Sequence, residues 1–170
     1  GGCAGISVAS RINSLKSDLS ISIIEPSEKS LYQAAWTLVG AGAYDVGNTI
    51  KPMSEVMPSY VKWIKEHAEE FMPDSNSVKT NSNTYTYDYL VVCPGLKLNF
   101  DGVAGLKESL GKNNVCTNYS AEMATYTWEC LKNLDGGTLL FTEPPMPIKC
   151  AGAPQKIAYL AADHLKKKGK

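Results

Sequence analysis

"GGCAGISVASRINSLKSDLSISIIEP", Gly1–Pro26, is the stretch whose reading decides the fold. A glycine turn leads into Ile6, Ala9, Ile12 and Leu15, a helical spacing that predicts a helix. After a polar break, Ile21, Ile23 and Ile24 suit a buried strand, and Glu25 stands at its carboxyl end. A dinucleotide fingerprint needs a strand, then GxGxxG, then a helix. Gly2 and Gly5 take the places of its second and third glycines; the first would fall one residue before Gly1. In that role Gly2 lets the backbone approach a pyrophosphate and Gly5 lets the helix pack on its strand. The helix amino end adds partial positive charge. Glu25 then lies about 20 residues on, where an acid accepts from ribose hydroxyls. The same residues also suit a turn that only packs, with Glu25 as a solvated strand-end acid.

Bulk composition narrows the class. The chain has 170 residues, 44% of them apolar, and 17 basic side chains balance 17 acidic ones. A nucleic-acid binder usually carries a basic excess, so no nucleic-acid partner is expected. No window approaches the roughly 18 apolar residues of a membrane span, and no signal peptide is visible. The abrupt ends, Gly1-Gly2 and Lys170, read as those of a piece of something longer. Five cysteines occur, Cys3, Cys93, Cys116, Cys130 and Cys150, with no CxxC and no zinc spacing. No metal site is therefore expected. The odd number and irregular spacing favour a reducing compartment or organelle matrix over a secreted disulfide framework.

Strands and helices are expected to alternate, which implies an α/β fold around a parallel sheet. A short helix is expected around Leu31–Val39, followed by a loop loosened by Gly40, Gly42 and Gly47. Val61–Ile64 reads as a strand centre. Two strands joined by a polar turn are expected over Ser77–Gly95, ending in a buried run at Leu90–Val92. Gly95–Gly111 is glycine- and lysine-rich, a crossover linker. Ser120 is the expected N-cap of an amphipathic helix that puts Met123, Tyr126 and Cys130 near one stripe. A strand is expected at "GTLLFTEP", then a helix from "APQKIAYL" that ends in cations, where the dipole favours them.

The loop before that last helix, "FTEPPMPIKC", carries three prolines where a phosphate loop would carry glycines. Pro144, Pro145 and Pro147 remove three backbone donors, and phosphate cradles work through such donors. A second nucleotide site is not expected there. Cys150 instead arrives immediately before the helix, with Pro154 in the first turn and Lys149 adjacent. A helix amino end and a nearby cation favour the thiolate, the form that attacks sulfur. That setting favours a reactive thiol over a structural one.

"IIEPSEKSLYQAAWTLVGAGAY", "MPSYVKWIKE", "YDYLVVCPGLKLNFDGVAGL", "CTNYSAEMATYTWE" and "PIKCAGAPQKIAYLA" together resemble the sulfide:quinone oxidoreductases of the mitochondrial type. The likeness runs over essentially all of the chain. It implies two Rossmann-like domains of the FAD/NAD(P)-binding type, both incomplete here. Residues 1–95 would be the FAD-binding domain, without its first strand and first glycine. Residues 96–170 would be a linker and the first half of a second domain carrying the redox cysteine. The family oxidises hydrogen sulfide to a persulfide and passes two electrons through FAD to ubiquinone at the mitochondrial inner membrane. The membrane-anchoring region would lie outside this chain, and no targeting segment stands in it.

Carried residue by residue, the resemblance puts Gly2, Cys3, Ala4 and Gly5 in the FAD phosphate turn and makes Glu25 the ribose acid. Gln33 would lie on the flavin side and Ala68 would give a backbone contact to the adenine half. Cys150 would be the first of two redox cysteines and bear the persulfide; the second would lie beyond this chain. The sulfur acceptor would be glutathione, sulfite or sulfide. Cys3 stands where the family often has serine or threonine, and "VVCPG" replaces a more usual Ala-Thr-Gly. Cys116 stands where some bacterial members carry a third cysteine, while Cys93 and Cys130 read as core. Two rival readings stay open: an NAD(P)H-dependent flavoprotein reductase of the same fold, and a non-catalytic relic that senses sulfide or scaffolds a partner.

Overall fold

The computed structural model describes residues 1–170, which divide into two compact units. The first comprises Gly1–Leu31 and Lys51–Gly95, the second Tyr32–Ile50 and Leu96–Lys170.

In the first unit, helix α1 (Cys3–Leu15) begins at an extended Gly2 and closes where the Lys16 N–H bonds the Ile12 carbonyl at 2.8 Å. Strands β1 (Ile21–Ile24) and β4 (Val61–Ile64) run parallel, in register from Ile21 opposite Val61 to Ile24 opposite Ile64. Ala9 from the helix, Ile23 and Val61 form one core cluster, flanked by Ile6, Ile21 and Met57. Burying a side chain such as Ile23 or Val61 contributes about 1.5–3 kcal/mol. This is the expected helix–strand pair with the expected parallel partner. Between them, β2 (Lys29–Leu31) pairs with β3 (Ile50–Pro52), and the short helix α3 (Met53–Val56) buries Met53 almost completely.

An antiparallel sheet of β5 (Ala68–Met72), β6 (Ser77–Thr80) and β7 (Thr84–Thr86) completes this unit. Its ladder shifts register between Ala68 and Glu70, so β5 bulges at its start. The β6–β7 hairpin is the pair of strands joined by a polar turn that the sequence predicts. The buried run expected at Leu90–Val92 is not found. Those residues are 40%, 55% and 53% exposed and belong to no strand. An apolar run states a preference for burial, but a strand also needs a neighbour for its N–H and C=O groups, and none of the 170 residues pairs with this one.

The second unit is helical. Helix α2 (Trp36–Gly40) packs against both α5 (Ala121–Lys132) and α6 (Gly152–Lys167). The expected helix at Leu31–Val39 therefore starts later, since Leu31 ends a strand and Gln33–Ala35 form a 3-10 turn. Trp36, Val39 and Ala124 make its core, with Val46 and Ala121 against them. Ala124 and Ala161 are 0% and 1% exposed, small residues at which the helices can approach closely. Gly40 lies close against the Asn118 side chain, so a Cβ there would force Asn118 to move. Gly42 adopts φ +72°, and a Cβ there would lie 2.5 Å from the Trp128 ring. The glycines of "LVGAG" thus serve packing rather than a loose loop. Ser120 is the N-cap of α5, but its side chain makes no capping bond. The linker region carries a 3-10 turn at Phe100–Gly102 and helix α4 (Leu106–Ser109). The strand expected within "GTLLFTEP" is absent, and Leu140 is 84% exposed, because no neighbour pairs with this segment either.

Candidate functional site

The amino end of α1 is a set of unspent donors. Its first intrahelical bond runs from the Ile6 N–H to the Gly2 carbonyl at 3.1 Å, so the N–H groups of Cys3, Ala4 and Gly5 have no partner within the helix. No side chain caps Gly2, and no acidic residue stands in the first turn. Cys3 and Ala4 are exposed, and a Cβ on Gly2 would meet nothing within 4 Å, so this turn faces open space. Gly5 faces Cys93, whose Cβ would lie 3.9 Å from an added Cβ; Cys93 is half-buried.

Glu25 stands beside this end. A Cβ on Gly1 would lie 2.3 Å from the Glu25 Cβ, and the Gly1 nitrogen is 3.1 Å from Glu25 Oε2. Position and orientation come from the backbone around it. The Glu25 N–H donates to the Ile64 carbonyl at 2.9 Å, extending the β1–β4 ladder by one bond, and the Glu25 carbonyl accepts from Trp63 Nε1–H at 2.8 Å. Its carboxylate accepts from the Ser27 N–H at 2.8 Å. The parallel pair thus carries the acid to the edge where α1 begins. Free N–H groups with a helix dipole suit a pyrophosphate, and a carboxylate beside them suits ribose hydroxyls. The donor set therefore fits a dinucleotide. Ala68 opens β5 opposite Thr80, half-buried, four residues after β4 ends. Gln33 is exposed in a 3-10 turn of the second unit.

Glu66, in the first unit, is a residue that sequence reasoning missed. It accepts from the Thr80 hydroxyl, from Asn83 Nδ2 at 2.8 Å and from the Tyr85 hydroxyl at 3.0 Å. The Thr80 hydrogen bond above all holds its carboxyl below the usual glutamate range. Burial and the Glu66 carboxylate push the Tyr85 phenol up.

In the second unit, Cys150 is exposed, two residues before the first residue of α6. Its carbonyl accepts twice, from the Ala153 N–H at 3.1 Å and from the Tyr119 hydroxyl at 3.0 Å. No side chain caps α6, and its first turn holds no acid. The Lys149 side chain turns to two aromatic faces, with Nζ 5.0 Å from the Trp36 ring centroid and 5.9 Å from that of Tyr119. Burial lowers the Lys149 ammonium's pKa, and the neighbouring Cys150 opposes that. Burial raises the Tyr119 phenol, helped by Cys150 and Glu143. Trp36 and Tyr119 lie 114 and 31 positions from Cys150, which left no local signal to connect them.

Cys116 and Cys130 are half-buried and lie within hydrogen-bond reach of one another. Burial first, then the hydrogen bond to Cys130, pushes the Cys116 thiol up to about 12. No group of three or more His, Cys, Asp or Glu side chains is placed to hold a metal ion. No helix is long and apolar enough to cross a membrane.

No protein-family model matches the chain. Among curated proteins it is similar to "Sulfide:quinone oxidoreductase, mitochondrial" of Dictyostelium discoideum, at 44% identity over 99% of this chain and 38% of that protein. The protein of the same name from Mus musculus is 39% identical over 100% of this chain and 38% of its own length. Among solved structures, the sulfide:quinone oxidoreductase of the hyperthermophilic bacterium Aquifex aeolicus matches with a TM-score of 0.74 and 28% identity. That match covers 99% of this chain and 39% of the solved one. The chain thus spans about two fifths of the length of these relatives.

Proposed function

We propose, for a chain homologous from end to end with a segment of the sulfide:quinone oxidoreductases, that it supplies the FAD phosphate turn and one redox cysteine of such an enzyme. The observation that carries this is the exposed Cys150 thiol at the uncapped amino end of α6. Residues 1–95 would be the FAD-binding Rossmann-like domain, apart from Tyr32–Ile50, which belongs to the second compact unit. Residues 96–170 are the linker and the first half of a second Rossmann-like domain.

The α1 amino end and Glu25 would hold the pyrophosphate and ribose of FAD through Gly2, Cys3, Ala4 and Gly5, while Ala68 and Gln33 contact its adenine and flavin sides. Bound FAD supplies the two-electron acceptor that is reoxidised by ubiquinone. The protein's own step is sulfur exchange. Hydrosulfide attacks Cys150 Sγ in a disulfide with a second cysteine contributed from outside this chain. A new S–S bond forms at Cys150, the old one breaks, and the second cysteine leaves as a thiolate carrying the electron pair. Cys150 is left as a persulfide, whose outer sulfur passes to an acceptor thiol, sulfite or sulfide. The uncapped helix end stabilises negative charge on Cys150 whenever that sulfur is the leaving group.

The mitochondrion is the location, with the inner membrane as the site of quinone access. The three prolines before Cys150 keep this loop from cradling a nicotinamide nucleotide, so NADH should fail to reduce the flavin where sulfide succeeds. In a protein of the relatives' length that carries this segment, Cys150→Ser should abolish sulfide-driven quinone reduction and leave FAD bound. Retained sulfide oxidation in that variant would remove Cys150 from the mechanism.

A further inference from the structure

The "YQAAWTLVGAG" motif has no part in the exchange described above, yet its tryptophan reaches the cysteine loop. Trp36 is 3% exposed and cannot swing freely. Its Nε1–H donates to Thr49 Oγ1 at 3.3 Å, and that hydroxyl donates to the Val46 carbonyl at 2.7 Å. Tyr119 is tied at both ends, by its N–H to Thr117 Oγ1 at 3.2 Å and by its hydroxyl to the Cys150 carbonyl at 3.0 Å. The ammonium of Lys149 has both rings within 6 Å, the range of a cation–π contact. No carboxylate pairs with it: none of the six ion pairs in the structure includes Lys149. Glu143 is the one carboxylate whose charge acts on the Tyr119 phenol.

A lysine neutralised by a carboxylate would present little field to the next residue. A lysine seated on aromatic faces keeps its charge and loses its freedom. Lys149 and Cys150 are chain neighbours, and the thiol's charge acts on the ammonium; salt screens such an interaction over roughly 10 Å at 0.1 M. We propose that Lys149 is a positioning residue for Cys150. Trp36 and Tyr119 hold its ammonium as a fixed positive charge beside the thiol, while the Tyr119 hydroxyl pins the Cys150 carbonyl at the start of α6. The charge draws anionic sulfur, hydrosulfide above all, towards Cys150 Sγ. This deepens the sulfur-exchange reading of Cys150 and rests on it.

The test uses the 170-residue chain and two alkylating reagents of nearly equal size, iodoacetate, which is anionic, and iodoacetamide, which is neutral. Mass spectrometry of the peptide containing Cys150 gives the rate with each at low ionic strength. The iodoacetate-to-iodoacetamide ratio should fall roughly threefold or more in Lys149→Met and return in Lys149→Arg, because a screened unit charge acts on one reagent only. In the unsubstituted chain, about 0.5 M salt should lower the same ratio, a measurement that needs no variant to fold. Tyr119→Phe should keep the ratio, since the ring stays, but speed amide hydrogen exchange over residues 150–156 several-fold. A ratio indifferent to both Lys149→Met and salt would overturn the proposal, as would unchanged exchange in Tyr119→Phe. None of these measurements uses sulfide, flavin or quinone. Failure of the oxidoreductase reading would therefore show separately, in the Cys150→Ser activity assay.

Discussion

Replacing Gly42 by alanine should destabilise the second unit by two separable effects. The residue adopts φ +72°, where an L side chain crowds its own carbonyl, and an added Cβ would stand 2.5–2.6 Å from three atoms of the Trp128 indole. The first effect costs about 1–2 kcal/mol. The second is overpacking against a rigid ring rather than the free end of a flexible chain, and costs about 1–3 kcal/mol. Together they amount to about 2–5 kcal/mol, a large part of the 5–15 kcal/mol typical of a domain. Gly105 separates the two, because it has φ +77° and open space where its Cβ would go. Both glycines belong to the same unit. Urea unfolding followed by tryptophan fluorescence should therefore show Gly42→Ala less stable than Gly105→Ala by about 1–3 kcal/mol. If the two variants unfold within about 0.5 kcal/mol of each other, Trp128 does not pack on this turn. The "LVGAG" glycines would then need another explanation.

Further outcomes are expected at other sites. Glu25→Ala, in a protein of the relatives' length, should weaken FAD retention on gel filtration without unfolding the chain; undiminished retention would deny Glu25 its ribose role. The hairpin around Glu66 should weaken in acid. Its folded pKa is depressed, so the stabilisation is present above the ordinary value of 4.5 and is lost as pH falls through the lowered one. Comparing urea midpoints at pH 7 and pH 3 for the unsubstituted chain and Glu66→Gln checks this: the variant should lose less, and equal losses would assign the acid effect elsewhere. Cys116, with its thiol pushed up to about 12, should resist iodoacetamide at pH 8. Roughly one molecule in ten thousand is then thiolate there, and labelling of Cys116 as fast as Cys150 would contradict the burial seen here.

The amino end of the chain was legible because its signals are local. Glycines, an apolar period of helical spacing and an alternating isoleucine run sit within the first 26 residues, and they produce α1 and β1 where expected. The same holds for Val61–Ile64 and for the helix after Cys150. Leu90–Val92 and Leu139–Phe141 read as strands on apolar character alone. Strand formation depends on a partner from anywhere in the sequence, and neither run has one in this chain. The cysteine loop was half legible. Its prolines and the following helix were on view, whereas the Trp36 and Tyr119 rings that receive Lys149 come from distant segments. Glu66 and its three donors were missed for the same reason: Thr80, Asn83 and Tyr85 meet it only once the hairpin forms.

Sulfane sulfur on residue 150 can be looked for directly. A protein of the relatives' length carrying this segment is treated with sulfide in the presence of a quinone, trapped with an alkylating reagent and digested. The fragment bearing Cys150 should gain the mass of one additional sulfur atom, and should lose it when sulfite is added. Only the bare alkylated thiol at that position, under conditions where quinone is being reduced, would contradict the account.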